Sequence, residues 1–237
     1  MSPPFSLTFD SNIGGRSSQE DSVGFSGDAH GGYAVICDGM GGHAGGAEAS
    51  AAAVEAFANA ALVGIPRARS ANSALFLSTG KRLPYDAGTT VVGLTWKKEG
   101  SAYKLSFFSV GDSYGILLDK NGIQYSTPVE GQGNTIFNYW NGKSKQMLKV
   151  SPTLTLRKKG VVLLASDGLE PIMGNLPDVL RGSRNTEPDA AAREFIRTTR
   201  AGYPQGIQAE VARAVSLAGL HADNTTALRI EFNPNPG

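Results

Sequence analysis

The sequence predicts an α+β fold in which mainly antiparallel sheets are covered by helices. Two observations lead to this class. Strand-like segments come in consecutive blocks instead of alternating one by one with helices, which disfavours parallel β-α-β units. Three stretches with helical periodicity, at 44–62, 187–199 and 207–220, interrupt those blocks. The chain has 237 residues, 41% of them hydrophobic, and we expect a single domain over 1–237.

Seven short segments rich in β-branched and aromatic residues predict strands. Asn121-Gly122 lies between the strand 114–118 and the segment 123–125, and this dipeptide is the one most typical of a tight hairpin turn. Strands in the middle of the chain are therefore expected to pair antiparallel. The predicted strands are 6–9, 33–37, 89–96, 103–110, 114–118, 161–165 and 225–232.

The first predicted helix spans 44–62 and is rich in alanine, the strongest helix former. Val54, Phe57 and Leu62, together with the intervening alanines, fall at three- and four-residue spacing. This spacing gives the helix one apolar face, which should pack on a sheet.

Two later helices, over 187–199 and 207–220, show the same periodicity. Thr186 precedes the first of them and is a suitable N-cap, because its hydroxyl can accept a free backbone N–H. Gly202 and Gly219 lie near the ends of these helices, where glycine commonly terminates a helix.

Composition excludes several classes of protein. Lysine and arginine number 22 against 21 acidic residues, so the net charge of +1 gives no field that would recruit nucleic acid or an anionic membrane. The single cysteine, Cys37, rules out an internal disulfide and fits a reducing compartment. No apolar run approaches membrane-spanning length, and the start Met1-Ser-Pro-Pro does not resemble a secretory signal. We expect a cytoplasmic monomer.

Four aspartates stand at the ends of strand-like runs, each beside glycine or a small polar residue. One Asp-Gly pair alone is most simply a turn. Four such aspartates instead suggest one rim, at which carboxylate and carbonyl oxygens can bind hard cations such as Mg²⁺ or Mn²⁺. The aspartates are Asp38, Asp112, Asp167 and Asp223.

Upstream of these aspartates, Arg16 stands four residues before the acidic pair Glu20-Asp21. The planar guanidinium of arginine matches two phosphate oxygens, and neighbouring acids can hold metal-bound water. Taken alone, this hexamer is more typical of a surface ion pair. The glycine-dense run 39–46 after Asp38 exceeds what one turn requires, and it suits backbone that must approach a ligand closely.

In their order and in their residues, these motifs resemble those of the type 2C (PPM) family of metal-dependent serine/threonine protein phosphatases, in its bacterial form. The resemblance covers nearly the whole chain. It implies a four-layer α-β-β-α sandwich with two central, mainly antiparallel sheets, and hydrolysis of phosphoserine and phosphothreonine by a water that bridges two metal ions. The matching motifs are Arg16 with Glu20-Asp21, Asp38-Gly-Met-Gly-Gly-His43, Gly88-Thr-Thr90, Gly111-Asp-Ser113, Ser166-Asp-Gly168 and Asp223-Asn-Thr225.

The resemblance also implies individual roles. Asp38 would bridge two Mn²⁺ or Mg²⁺ ions, and Gly39 would add its backbone carbonyl to the second. Asp167 and Asp223 would complete the shell of the first ion. Arg16 would bind the substrate phosphate, so the implied catalytic residues are Asp38, Asp167 and Arg16.

The remaining implied ligands are weaker. Glu20 and Asp21 would act mostly through water. Asp112 with Asp167 would form a third, weaker metal site, which makes two or three ions in total. The implied partner is a phosphorylated protein, the product of an opposing serine/threonine kinase in bacterial signalling.

Two features depart from the family pattern. Animal members carry a histidine directly after the bridging Asp-Gly, where this chain has Met40. His43 and a metal-bound water are the remaining candidates for the acid that protonates the leaving alkoxide. The segment 126–159 takes the place of the family's flap beside the substrate groove, but it is short and lacks the usual Asp-His-Ser signature. Six basic residues in it form either a solvated face or an attraction for acidic phosphopeptides, namely Lys143, Lys145, Lys149, Arg157, Lys158 and Lys159.

Two other functions are weighed against an active phosphatase. A phosphatase-like module that binds phosphoproteins without turnover is favoured by Met40 and disfavoured by the complete set of aspartates. A serine hydrolase would use Ser113 in a Gly-x-Ser-x-Gly pattern, followed by Asp167 and His221 in the order of an α/β-hydrolase triad. Such a nucleophile must lead into a helix, whereas 114–118 leads into a hairpin. The sequence therefore favours the metal-dependent phosphatase.

Overall fold

The computed structural model shows two antiparallel sheets packed face to face, with helices on both outer faces. The predicted class and layer order are confirmed. The structure describes residues 3–40, 45–62, 74–76, 83–84, 87–132, 135–142, 147–183 and 186–235.

The first sheet has five strands within these described ranges. Asp119 and Gly122 pair across the predicted Asn121-Gly122 hairpin, and Gly122 has a φ of +109°, a conformation that favours glycine. The strands are, in spatial order, β1 (Phe5–Asn12), β14 (Thr225–Phe232), β13 (Gly160–Ala165), β7 (Tyr114–Asp119) and β8 (Gly122–Ser126).

In the part of the chain that the structure describes, the second sheet has seven strands, including several that the sequence did not predict. These are β2 (Asp21–Gly27), β3 (Gly31–Asp38), β5 (Val91–Glu99), β6 (Ala102–Val110), β11 (Met147–Val150) and β4 (Ala74–Phe76) in spatial order, with β12 (Leu154–Leu156) also on β6. Strand β2 escaped prediction because it is a half-exposed edge strand with few apolar residues. The segment 147–156 therefore belongs to a sheet, and the flap-like segment is shorter than 126–159.

The flap-like segment also contains a small two-stranded ribbon, β9 (Gly131–Gln132) with β10 (Thr135–Ile136). Strands this short carry no period-2 pattern, so the sequence predicted only a polar, irregular stretch here.

Among the described residues, four α-helices complete the fold: α1 (Gly46–Leu62), α2 (Leu176–Leu180), α3 (Ala190–Ala201) and α4 (Ile207–Ala218). Helix α1 packs on the seven-stranded sheet, and α2 to α4 pack on the five-stranded sheet. The alanines of α1 bring it close to the sheet, where Gly93 lies so near the Phe57 ring that a Cβ would be 2.6 Å from it. No helix within the described ranges has both the length and the apolar content to cross a bilayer.

Helix α3 begins later than predicted. Its N-cap is Asp189, whose carboxylate accepts the Ala192 N–H at 2.7 Å, so the expected capping role of Thr186 is wrong. Asp189 takes the role because it directly precedes the first helical residue, with extended backbone of its own. Gly202 and Gly219 end α3 and α4 as predicted, both with positive φ.

Candidate metal centre

The acidic residues gather at one end of the sandwich, where corresponding ends of the two sheets lie side by side. In the seven-stranded sheet, Asp21 at the start of β2 pairs with Asp38 at the end of β3. In the five-stranded sheet, Asp167 follows β13 and Asp223 precedes its neighbour β14. Ser166 joins the two sheets, because its hydroxyl donates to Asp21 Oδ2 at 2.9 Å. Antiparallel pairing thus brings residues from distant parts of the sequence to one rim.

Two buried threonines fix the backbone of Asp38. The Thr89 hydroxyl and the Thr90 N–H both donate to the Asp38 carbonyl at 2.8 Å, and Thr90 Oγ1 accepts the Asp38 N–H at 3.1 Å. Thr90 Oγ1 also lies 2.7 Å from Ser113 Oγ, directly after Asp112. The loops that carry Asp38 and Asp112 are therefore tied together beneath the rim.

Four of the carboxyl groups have raised pKa values. Burial raises the pKa of Asp21 and of Asp112 to about 6. Burial, with the charges of Asp112 and Asp223, raises the pKa of Asp167 to about 7. Burial and the charges of Asp21 and Asp167 raise the pKa of Asp38 well above its usual range. Carboxylates so close together and so far from water require a counter-charge to ionise together.

Three buried oxygens of this group have no hydrogen-bond partner among the described residues: Asp21 Oδ1, Asp112 Oδ1 and Asp167 Oδ1. Buried polar atoms are nearly always hydrogen-bonded, so three orphans in one place need an explanation. An all-oxygen, anionic donor set is the kind that Mg²⁺ and Mn²⁺ prefer. The residues present therefore fit divalent cations.

The rim is open. Within the described ranges, no three His, Cys, Asp or Glu side chains stand close enough to enclose a cation. A closed cage is not required, because Mg²⁺ usually keeps several waters and takes one or two carboxylates.

Arg16 lies at the mouth of the rim, in the loop between β1 and β2. Its Nη2 is 2.5 Å from Asp223 Oδ2, and the two side chains are 46% and 39% exposed. Arg16 therefore neutralises Asp223 while the guanidinium stays within reach of a ligand from solvent.

Glu20 and Gly39 lie beside Asp38. The Gly39 N–H donates to the Glu20 carbonyl at 3.1 Å, and a Cβ on Gly39 would stand 2.4 Å from the Gly46 carbonyl oxygen. Gly39 cannot be replaced without moving backbone. The Glu20 carboxylate lies near Gly46, at the start of α1, where the helix dipole favours negative charge.

Solved structures that are similar in fold to this chain include bacterial serine/threonine phosphatases. Stp1 from Staphylococcus aureus is 16% identical, with a TM-score of 0.63 over 98% of this chain and 96% of that one. The catalytic domain of PstP from Mycobacterium tuberculosis, solved with two manganese ions, is 19% identical, with a TM-score of 0.60 over 97% and 99% of the two chains. RsbX, solved with magnesium, is 17% identical, with a TM-score of 0.56 over 96% and 94%.

The chain has the fold of the bacterial serine/threonine phosphatases. No family model matches its sequence, and no curated protein is similar enough in sequence to match. At identities of 16–19% the fold is what the comparison establishes, and the chemistry depends on this chain's own residues.

Asn224 holds the Arg16 loop on this phosphatase fold, a role that sequence reasoning missed. Its side-chain amide donates to the carbonyls of Ile13 at 2.8 Å and Ser18 at 3.1 Å. Its side-chain oxygen accepts the Glu20 N–H at 2.8 Å. The signal was its place in Asp223-Asn-Thr225, but its partners lie more than 200 residues earlier in the sequence.

We expect Asn224→Ala to lower the free energy of unfolding by about 2–4 kcal/mol, because three backbone groups lose a buried partner. Chemical denaturation measures the loss, and Asn235→Ala, at an exposed asparagine, is the matched control. A loss no larger than that of the control would show that the loop is held by other contacts.

Met40 occupies the position next to Asp38-Gly39 as a packing residue. Its N–H donates to the Gly88 carbonyl at 2.9 Å, and its thioether lies over Gly88 together with the Tyr139 ring. His43, the candidate acid, lies outside the described residues.

The flap-like segment is anchored at both ends to the rim. At one end the Glu130 N–H donates to the Gly111 carbonyl at 2.8 Å. At the other end Trp140 and Thr89 exchange two backbone hydrogen bonds of 2.8 and 2.9 Å. These contacts connect the segment to the loops of Asp112 and Asp38.

Two of the basic residues in the segment 126–159 form ion pairs with acidic residues. Lys149 pairs with Glu130 at 2.5 Å, and Lys159 pairs with Glu231 at 2.7 Å. Lys143 and Lys145 lie outside the described residues. Lys149 and Lys159 are therefore neutralised by their partners and give no support to an attraction for acidic phosphopeptides.

The serine-hydrolase interpretation is wrong. Ser113 is buried, its hydroxyl is engaged with Thr90, and the chain continues into strand β7 where a nucleophile elbow needs a helix. His221 is exposed in a short turn of 3₁₀ helix.

Proposed function

We propose that this protein is a metal-dependent phosphoprotein phosphatase that hydrolyses phosphoserine and phosphothreonine esters formed by an opposing kinase. The observation that carries the proposal is the set of three buried, unpartnered carboxylate oxygens on Asp21, Asp112 and Asp167, gathered around Asp38. The likeness in fold to phosphatases solved with magnesium or manganese supports it.

The acidic rim would hold two or three Mn²⁺ or Mg²⁺ ions. When bound, such ions acidify a water and neutralise charge on the phosphoryl oxygens. Asp38 is the central ligand, because it lies among the other acids and its backbone is fixed by Thr89 and Thr90. The further ligands proposed are the Gly39 carbonyl, Asp167, Asp223 and Asp112, with Glu20 and Asp21 acting through water.

Arg16 would bind the substrate phosphate. In the structure its guanidinium is held by Asp223. A cation at Asp223 competes for the same carboxylate, which frees the donors of Arg16 for two phosphate oxygens.

We expect Arg16→Ala to lower kcat/KM roughly 10- to 100-fold for a phosphopeptide, with a melting temperature close to that of the wild type. The melting temperature should change little because an exposed ion pair contributes at most about 1 kcal/mol to stability. Steady-state kinetics and thermal denaturation measure the two effects. Arg197→Ala, at an exposed arginine paired with Glu194 on α3, controls for the loss of charge and of an exposed ion pair. Unchanged kinetics in Arg16→Ala would remove Arg16 from the site.

The proposed activity is tested with an aryl phosphate and a phosphothreonine peptide in Mn²⁺, with and without chelator. We expect phosphate release that the chelator abolishes. The absence of chelator-sensitive release would refute the proposal. If the phosphopeptide binds under those conditions without being hydrolysed, the protein is instead a phosphatase-like binding module.

A further inference from the structure

Beside Asp112 and Asp167 lies a second group of charges that the proposed chemistry does not use. It consists of Tyr114, which begins β7, Glu170 in the 3₁₀ helix Asp167–Ile172, and Arg181, which directly follows α2. Tyr114 lies two residues after Asp112, and Glu170 lies three residues after Asp167 in the same 3₁₀ helix. Arg181 comes from a separate part of the chain.

Arg181 is the centre of the group. Its Nη2 donates to Glu170 Oε1 at 2.8 Å and to the Tyr114 hydroxyl at 3.1 Å, and Nη1 is 3.8 Å from Asp178. The Tyr114 hydroxyl donates to the same oxygen of Glu170. The Arg181 side chain is only 18% exposed, and its Nε is buried without a partner among the described residues. The guanidinium is therefore held in one place by several contacts.

Both charges of this ion pair act on the proposed third-metal corner. The negative charge of Glu170 raises the pKa of Asp112 and of Asp167, and the positive charge of Arg181 opposes the effect at Asp112. Water screens this ion pair only in part, because the Arg181 side chain is 18% exposed and the Glu170 side chain is 34% exposed.

Resting on the proposed function, we infer that Arg181 is a positioning residue that limits how tightly a divalent cation is held at Asp112 and Asp167. Two effects act together. The fixed positive charge repels an incoming cation, and the ion pair keeps Glu170 from becoming an additional ligand. Loss of Arg181 removes both restraints, whereas loss of the Glu170 charge leaves Arg181 unopposed.

Titration calorimetry of the full chain with Mn²⁺ tests the inference, because two variants should change Mn²⁺ affinity in opposite directions. We expect Arg181→Gln to strengthen the weakest binding event roughly three- to tenfold, and Glu170→Gln to weaken it by a similar factor. Arg181→Lys keeps the charge and should stay within about twofold of wild type. Arg197→Gln breaks an exposed arginine–glutamate pair on α3 and controls for the same change in net charge.

Thermal denaturation provides a second readout. In chelator, Arg181→Gln should melt below the wild type, because Glu170, Asp112 and Asp167 lose their counter-charge. In saturating Mn²⁺ this difference should shrink, since the cation replaces the guanidinium. An equal difference in both conditions would indicate a purely structural ion pair and overturn the inference.

Failure of this inference can be told apart from failure of the proposed function. Wild-type protein that binds no Mn²⁺ and releases no phosphate overturns both. Wild-type protein that binds Mn²⁺ and hydrolyses phosphopeptide, with Arg181→Gln and Glu170→Gln unchanged or shifted in the same direction, overturns the inference alone.

Discussion

We expect Asp38→Asn to abolish phosphate release while the protein remains folded. The side chain keeps its size, and the hydrogen bonds that position residue 38 come from its backbone. Under the proposed function, an amide without negative charge would hold divalent cations poorly, and the acidification of water that such ions supply would be lost. A loss of roughly a thousandfold or more in kcat follows if about 4 kcal/mol of transition-state stabilisation disappears. Steady-state kinetics with Mn²⁺ measure the loss of phosphate release, and circular dichroism measures whether the variant remains folded.

The stability of this variant provides an internal check. Asp38 is surrounded by like charges, so in chelator Asp38→Asn should be at least as stable as the wild type. Asp10→Asn, on β1, is the matched control and should keep full activity. Retained turnover in Asp38→Asn would exclude a bridging role for this residue.

Without cations, the protein should become less stable as the pH rises from 5 to 8. A carboxyl group whose folded-state pKa is raised binds its proton more tightly in the folded state than in the unfolded state. Its stability contribution is therefore lost between the ordinary pKa near 4 and the raised value, and is constant above it. Asp21 and Asp112, with pKa values of about 6, and Asp167, at about 7, set this window.

The expected loss between pH 5 and pH 8 is a few kcal/mol, at about 1.4 kcal/mol per pH unit for each group that releases its proton. Saturating Mn²⁺ at pH 8 should restore the stability, because a cation binds only the ionised carboxylates. Chemical denaturation in chelator across this pH range measures the effect. Asp167→Asn should reduce the fall in stability between pH 5 and pH 8, because it removes one of the carboxyl groups with a raised pKa. A profile in chelator that is flat, or that rises towards pH 8, would contradict the assigned burial of these groups.

Local sequence patterns predicted the interior of the fold well. Strand β13 is a run of fully buried apolar residues, and α1 is an alanine-rich helix with one apolar face, so both were visible from composition and periodicity. Strands β2, β11 and β12 were missed because they lie at sheet edges or are very short, where burial imposes no regular pattern.

The candidate site divides in the same way. The aspartates could be found because each follows or precedes a strand and stands beside a small residue, a signal contained within a few positions. Asn224, Ser166 and Arg181 were not assigned roles, since each acts on residues that are distant in the sequence. The resemblance to phosphatase motifs implied which residues are metal ligands. It did not indicate which other residues contact those ligands and hold them in place.

The sequence by itself indicated which residues to propose for the chemistry, because strand ends, glycines and acidic side chains are local features of the chain. Only the tertiary structure decided which of these charged groups lie close enough to shift one another's pKa values or to form ion pairs. Antiparallel pairing of two sheets brings Asp21 to Asp38 and β13 to β14, and burial then raises pKa values that no isolated segment would perturb. The pairing of Arg16 with Asp223, and of Arg181 with Glu170, likewise depends on contacts between separate loops and helices.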